Sequence, residues 1–337
     1  MTFIRSFRFW FGMLFSLFFL WLAVRSIPFQ ALSGSAASAN YLWLIPALAA
    51  QMLAVVARSL RWIVLLKQPK QFSSSFWAQG IGYLFTNILP FRMGEPARIL
   101  VMAEQCELPV MFVTGTAVVE RLLDVATMIF ALVLVLPWMK VPTAVSNSGI
   151  IFGFLVLLGL VVIILVSRFK QTAHKVVEWM FKIFTFLPTQ SLLHWWDDLI
   201  DSLTILLDWR VAVKAVGWSL VSWSLSAIVF WCSIRAFHQD GLMIEAVFMM
   251  VTLSLAVTLP SSPGFIGVFQ FAGQQALVLP FGTKYNSGSA LAITLSAHMV
   301  YYFLTTIIGL IAIWVTGTSF SKLMKKVTRQ KSFSPTK

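Results

Sequence analysis

Glu120, Arg121 and Asp124 stand together in "VVERLLDV", inside an apolar run at about 110–136, and of all the side chains they are best placed to do chemistry. Ionisable groups at membrane depth are costly to insert and mark substrate or proton sites, or ion pairs buried against other helices. Counting from Val110 at 1.5 Å per residue puts Glu120 about 15 Å in, near the midplane of a core about 30 Å thick. Glu120 and Asp124 share one helical face at i and i+4, while Arg121 points about 100° away. The carboxylates therefore look to another element for partners. Two readings follow: a site for substrate or protons, or an ion-pair network that locks a neighbouring segment to this span.

That neighbouring segment is "NILPFRMGEPARILVMAEQ", Asn87–Gln105, where prolines, a glycine and charges interrupt apolar sequence. Arg92 and Arg98 are its candidate partners for Glu120 and Asp124, with Glu95 between them. "ILPFRMGEPARI" also aligns with "TLPSSPGFIGVF", placing Gly94 on Gly264 at a constant offset of 170 residues, with L-P-x-x-x-G shared. Non-helical backbone at membrane depth survives only inside protein or along a watery cavity. Two such breaks should line one cavity, and the helices resuming after them would aim positive N-termini at an anionic group. The first copy supplies charge; the second supplies neutral groups, Ser261, Ser262, Gln270 and Gln274. His298 lies at a depth matching Glu120, and its plain reading is a hydrogen-bonded packing residue. Asn87, Arg92, Gly94, Glu95, Arg98, Glu120, Arg121, Asp124, Ser261, Ser262, Gly264, Gln270 and His298 form the candidate ligand-binding set.

The elements holding these residues follow from composition. Of 337 residues 59% are hydrophobic and 11% charged, and apolar runs recur from Phe9 to Val315, which implies an all-α, polytopic membrane protein. Full spans read at about 9–27, 41–60, 110–136, 149–167, 211–234 and 288–316. Two broken stretches, 76–104 and 243–282, read as re-entrant hairpins, because neither half is long enough to span alone. Lys and Arg outnumber Asp and Glu 25 to 12, a bias the positive-inside rule explains without nucleic acid. Arg5 and Arg8, the group Arg58, Arg61, Lys67 and Lys70, and the basic residues at 168–182, 210–214 and 322–337 then face the cytoplasm, with both termini. This puts the repeats 41–136 and 211–316 in opposite orientations, an arrangement associated with alternating access. Residues 1–320 form one membrane domain, 321–337 a basic cytoplasmic tail, and 170–209 an amphipathic cytoplasmic hairpin lying on the inner surface or serving as a partner-docking element.

Cys106 and Cys232 lack metal or disulfide spacing. The N-terminus resembles a signal peptide, but its apolar run is long and the small-residue site lies well beyond it, so it reads as a retained span. No P-loop, GxSxG or HExxH motif is present, so no cofactor is expected and nucleotide hydrolysis is excluded as the energy source.

"NILPFRMGEPARI", "VERLLDV" and "LPSSPGFIGVFQ" resemble the flippase-like membrane domain of lysylphosphatidylglycerol synthases, over about residues 5–320. The resemblance implies a lipid-handling domain that moves aminoacylated phospholipid between leaflets, or serves glycolipid and polyprenyl-linked pathways. Those synthases continue into a soluble aminoacyl-transfer domain, and this chain ends about twenty residues after its last span, so synthase activity is not expected. The leading function is transport of an anionic, aminoacylated or glycosylated lipid. Its rivals are an accessory subunit passing lipid to a separate synthase or glycosyltransferase, and a lipid-headgroup transferase using Glu120 or Asp124 as base.

Overall fold

A computed structural model describes residues 14, 17–23, 25, 29–89, 93–138, 158–159, 161–162, 165–183, 189–258 and 262–318. The described residues are helical, with no strand among them. Helix α1 (Phe29–Ala37) precedes α2 (Leu44–Leu65), the half-length helices α3 (Phe72–Ile88) and α4 (Gly94–Cys106), and long α5 (Val110–Val135). After α6 (Lys170–Ile183) and α7 (Thr189–Thr204) come long α8 (Trp209–Phe237), half-length α9 (Met243–Ala256) and α10 (Val268–Phe281), and long α11 (Ser287–Thr316). Long, half, half, long thus occurs twice, as α2–α5 and α8–α11. Packing follows the same pattern: α2 lies along α8, each half-length pair packs on itself, α3 lies on α11 and its counterpart α9 on α5.

Among the described residues, four segments are long and apolar enough to cross a membrane: Tyr41–Leu65, Trp209–Phe237, Pro263–Phe281 and Ser287–Thr316. Ile45, Val216, Leu310 and Ile311 are exposed on them, as lipid-facing side chains should be. Helix α5, at 26 residues, is about 39 Å long; its three ionisable residues cluster at Glu120–Asp124, in the middle of the helix, which sets it apart from those four. Pro263–Phe281 reaches 19 residues because a 3-10 turn at Pro263–Phe265 leads into α10. By length, therefore, the second half of that broken stretch reaches further than its sequence implies. The expected spans at 9–27 and 149–167 fall largely outside the described residues, as does the tail.

Both glycines of the repeated motif have a steric reason. A Cβ on Gly94 would sit 1.9 Å from the Gly82 carbonyl oxygen and 2.2 Å from Thr86 Oγ1, so this glycine lets α4 close against α3. Gly264 has φ 64° and a Cβ there would meet the Tyr302 ring at 2.6 Å. Gly267 (φ 93°) and Phe265 (φ 61°) are also left-handed, a conformation that strains a side-chain-bearing residue. The first break is different in form: Leu89 is extended, at φ −107°, ψ 144°.

The amphipathic α6–α7 pair joins the bundle through α7. Ile200 and Leu203 pack with Leu65, Val119, Leu123 and Ala215, and Gly115 of α5 lets Ser202 approach closely. The Lys170–Asp201 ion pair and a hydrogen bond between His174 Nδ1 and Asp197 at 2.8 Å tie α6 to α7.

Candidate functional site

The two broken segments meet. A Cβ on Gly264 would lie 3.5 Å from the carbonyl oxygen of Asn87, across the 170-residue repeat. Asn87, 1% exposed, fastens the end of α3 to α11: its Nδ2 donates to Thr305 Oγ1 at 3.0 Å and Thr306 Oγ1 at 2.9 Å. Beside this junction lies a cavity of about 260 Å³.

One wall of the cavity is charged. Glu95 and Arg98 come from α4, Glu120, Arg121 and Asp124 from α5, and Arg58 and Arg61 from α2. Six of these seven residues form a closed ring of alternating sign. Glu120 accepts from Arg98 Nη1 at 2.7 Å and from Arg61 Nη2 at 3.3 Å. Arg61 Nη1 donates to Asp124 Oδ1 at 2.6 Å, and Asp124 Oδ2 accepts from Arg121 Nη1 at 3.4 Å. Arg121 Nη2 also donates to Glu95, and Glu95 Oε2 accepts from Arg98 Nε at 2.7 Å, which closes the ring. Arg61, Arg98 and Glu120 are at most 3% exposed, so their charges depend on each other for solvation. Ser219 Oγ accepts from Arg61 at 3.0 Å and Trp223 Nε1 donates to Asp124 at 3.0 Å, tying α8 to the ring.

Three arginines balance three carboxylates in the ring. Arg58 is the seventh charge, and among the described residues no carboxylate lies within ion-pair distance of it. Its guanidinium donates to Tyr83 Oη and Ser226 Oγ, both at 3.1 Å, and stands 5.7 Å from the Trp223 ring centre.

The opposite wall is apolar. Phe230 comes from α8, Met250 and Leu253 from α9, Phe265 from the second break, Phe269 from α10 and Met128 from α5. Val257 and Ala297 extend it. The wall of charge thus comes from the first repeat and most of the apolar wall from the second.

The structure brings Glu95, Arg98, Glu120, Arg121 and Asp124 together in this cavity. Arg98, one of the two candidate partners, meets Glu120, whereas the other, Arg92, and Ser261 lie outside the described residues. Asn87, Gly94, Ser262, Gly264, Gln270 and His298 do not line the cavity; they shape the backbone behind it. Gly267 N–H donates to Gln270 Oε1 at 2.7 Å, which leaves the Gln270 amide nitrogen to donate to His298 Nδ1 at 2.8 Å. His298 Nε2–H then donates to the Gly264 carbonyl at 2.9 Å. Both ring nitrogens are engaged and the order of donors requires a neutral imidazole, stacked on Phe269 at 4.3 Å. Ser262 Oγ donates to the Ile266 carbonyl at 3.0 Å.

Arg58 and Arg61 are the residues that sequence reading missed. Near the end of a span they count as loop charges, but both point into the bundle, and Arg61 is 2% exposed. Their spacing of three was the available signal, since it puts both on one helical face.

Residues 9–309 match the family model described as the lysylphosphatidylglycerol synthase TM region. A UPF0104 membrane protein of Methanocaldococcus jannaschii is 24% identical over 298 residues, covering 83% of this chain and 86% of that protein. No solved structure matches.

Proposed function

The chain belongs to the lysylphosphatidylglycerol synthase TM region family, and from that premise we propose that it is a lipid transporter that receives a headgroup in the cavity between its two broken segments and passes the lipid between leaflets. The observation that carries this reading is the pairing of a charged wall with an apolar wall where the breaks meet. A lipid has the same two ends. The repeats at 41–136 and 211–316 lie in opposite orientations in this reading, with re-entrant half-helices and both termini cytoplasmic, so that rocking one repeat against the other exposes the cavity to each side in turn.

Catalysis fits less well. Each carboxylate of the ring already accepts from two arginines, so a substrate proton would have to compete with two charge-assisted hydrogen bonds at each of them.

The test is transport by purified protein in liposomes carrying a trace of fluorescent phosphatidylglycerol, with the outer leaflet quenched chemically. Wild-type protein should render most of the inner-leaflet probe quenchable. Arg121→Gln, at the half-exposed link of the ring (54% exposed side chain), should slow this about tenfold or more while the protein still inserts. Transport at the protein-free rate by well-folded wild type, over phosphatidylglycerol, an aminoacylated phospholipid and a glycolipid, would sink the proposal.

A further inference from the structure

Resting on that reading of the cavity, we infer that Arg58, with Gln51 as a second donor, is the seat for a single negative charge: the phosphodiester of the transported lipid. The ring explains why. Its three arginines and three carboxylates are paired with one another, and although Arg98 Nη2 is buried without a partner, that guanidinium is already committed to Glu95 and Glu120, so the ring has no net charge to offer an arriving anion. Arg58 stands outside that pairing. Its partners are two neutral hydroxyls and an indole ring, and it lines the same cavity.

A second observation points to the same cavity. Gln51 lies seven residues before Arg58 on the same face of α2, is 4% exposed, lines the cavity, and its Nε2 is buried without a hydrogen-bond partner. An orphaned buried donor is costly unless something accepts from it. An oxygen-rich headgroup does so. Tyr83 accepts from Arg58 and retains its own hydrogen for a phosphate oxygen, whereas Ser226 has spent its hydrogen on the Ser222 carbonyl at 2.9 Å.

The charge count sets the ligand class. The described cavity residues comprise four arginines and three carboxylates, Glu95, Glu120 and Asp124, a surplus of one positive charge. A phosphodiester monoanion cancels it. A lipid diphosphate carries further negative charge that no unpaired described cation of the cavity meets, and bringing uncompensated charge among the buried side chains of this wall is disfavoured. The apolar wall of Phe230, Met250, Leu253 and Phe269 takes the beginning of the chains.

The test is lipid binding to purified full-length protein in detergent, followed by native mass spectrometry and by fluorescent-lipid titration. The probes are phosphatidylglycerol, an undecaprenyl diphosphate and the water-soluble diester glycerophosphoglycerol. Wild type should bind phosphatidylglycerol in preference to the diphosphate. Arg58→Gln should weaken phosphatidylglycerol about tenfold, and Arg58→Lys, which keeps the charge, by only about threefold. Gln51→Leu should weaken it about threefold with every charge retained, a test that stands even if Arg58→Gln misfolds.

Unchanged binding by folded Arg58→Gln and Gln51→Leu overturns the seat while leaving the transport reading intact. A wild-type preference for the diphosphate also overturns it. Absence of lipid binding by wild type overturns both proposals. Displacement of lipid by millimolar glycerophosphoglycerol would assign the anion seat to a soluble ligand and overturn a lipid as its source.

Discussion

The two broken segments share L-P-x-x-x-G, yet they are held in opposite ways. Around the first, Arg98 joins Glu95 to Glu120 in a ring of full charges. Around the second, neutral groups suffice: Gln270 and His298 reach in hydrogen-bonded series to the Gly264 carbonyl. Glycine also serves different ends, giving α4 close contact with α3 at Gly94 and a left-handed turn at Gly264. The difference teaches that a repeated backbone plan does not dictate repeated chemistry. At the cavity one copy supplies the charge and the other presents mostly apolar surface.

The comparison breaks most visibly if one charge is removed from the ring. Arg98→Gln leaves two carboxylates short of a partner, one of them the 1%-exposed Glu120, and should cost about 3 to 5 kcal/mol. Thermal unfolding in detergent checks this, and adding Glu120→Gln should recover part of the loss. His298→Ala should cost less, about 1 to 3 kcal/mol, since only neutral hydrogen bonds and packing are lost. An equal loss from the two variants would mean that charge does not distinguish the segments.

Next come the glycines. Gly94→Ala drives a methyl group into backbone at 1.9 Å and should destabilise at the upper end of about 1 to 3 kcal/mol. Gly264→Ala meets a ring edge and a left-handed backbone, at roughly 1 to 2 kcal/mol. Melting temperatures falling in the reverse order would show that the first pair opens more readily than its contacts imply.

The smallest effect is that of pH, and it touches the second half. His238, in the loop after α8, contacts Tyr285 at 4.7 Å and faces Asp240, Lys284 and Glu245. Burial, reinforced by Lys284 and opposed by the two carboxylates, holds its pKa below the ordinary imidazole value. The unfolded chain therefore takes up the proton first. This contribution is full above the ordinary value and is lost as pH falls below it. Melting temperature recorded from pH 7.5 to 5.5 should decline slightly more for wild type than for His238→Gln, or the loop histidine is better solvated than its packing indicates.

Much of this was legible in sequence for a physical reason: charges in an apolar run have few places to go. Glu120 and Asp124 announced a buried partner, and Arg98 was one of two candidates. Arg61 was legible only as sharing a helical face with Arg58, not as buried. An arginine near a helix end can extend to water or turn inward, and only the tertiary position of Glu120 and Asp124 decides. His298 was read as a hydrogen-bonded packing residue and also placed in the ligand-binding set, but it does not line the cavity; its specific duty depends on where the Gly264 carbonyl points, which no local pattern reveals. The long helix–half–half–helix order was legible because proline and glycine interrupt apolar runs; the reach of Pro263–Phe281 was not, because a 3-10 turn lengthens it.

A ring differs from a chain of the same links in one respect that bears on motion. Cut a chain once and it falls into two pieces; cut a ring once and everything stays connected by the long way round. The Arg121–Glu95 link is the one with both side chains at the surface, 54% and 36% exposed, and so the one that water opens at least cost. With it open, Arg121 still reaches Asp124, Asp124 reaches Arg61, and the path runs through Glu120 and Arg98 back to Glu95. Redundancy of this kind lets one link come apart while the three helices it joins stay tied together.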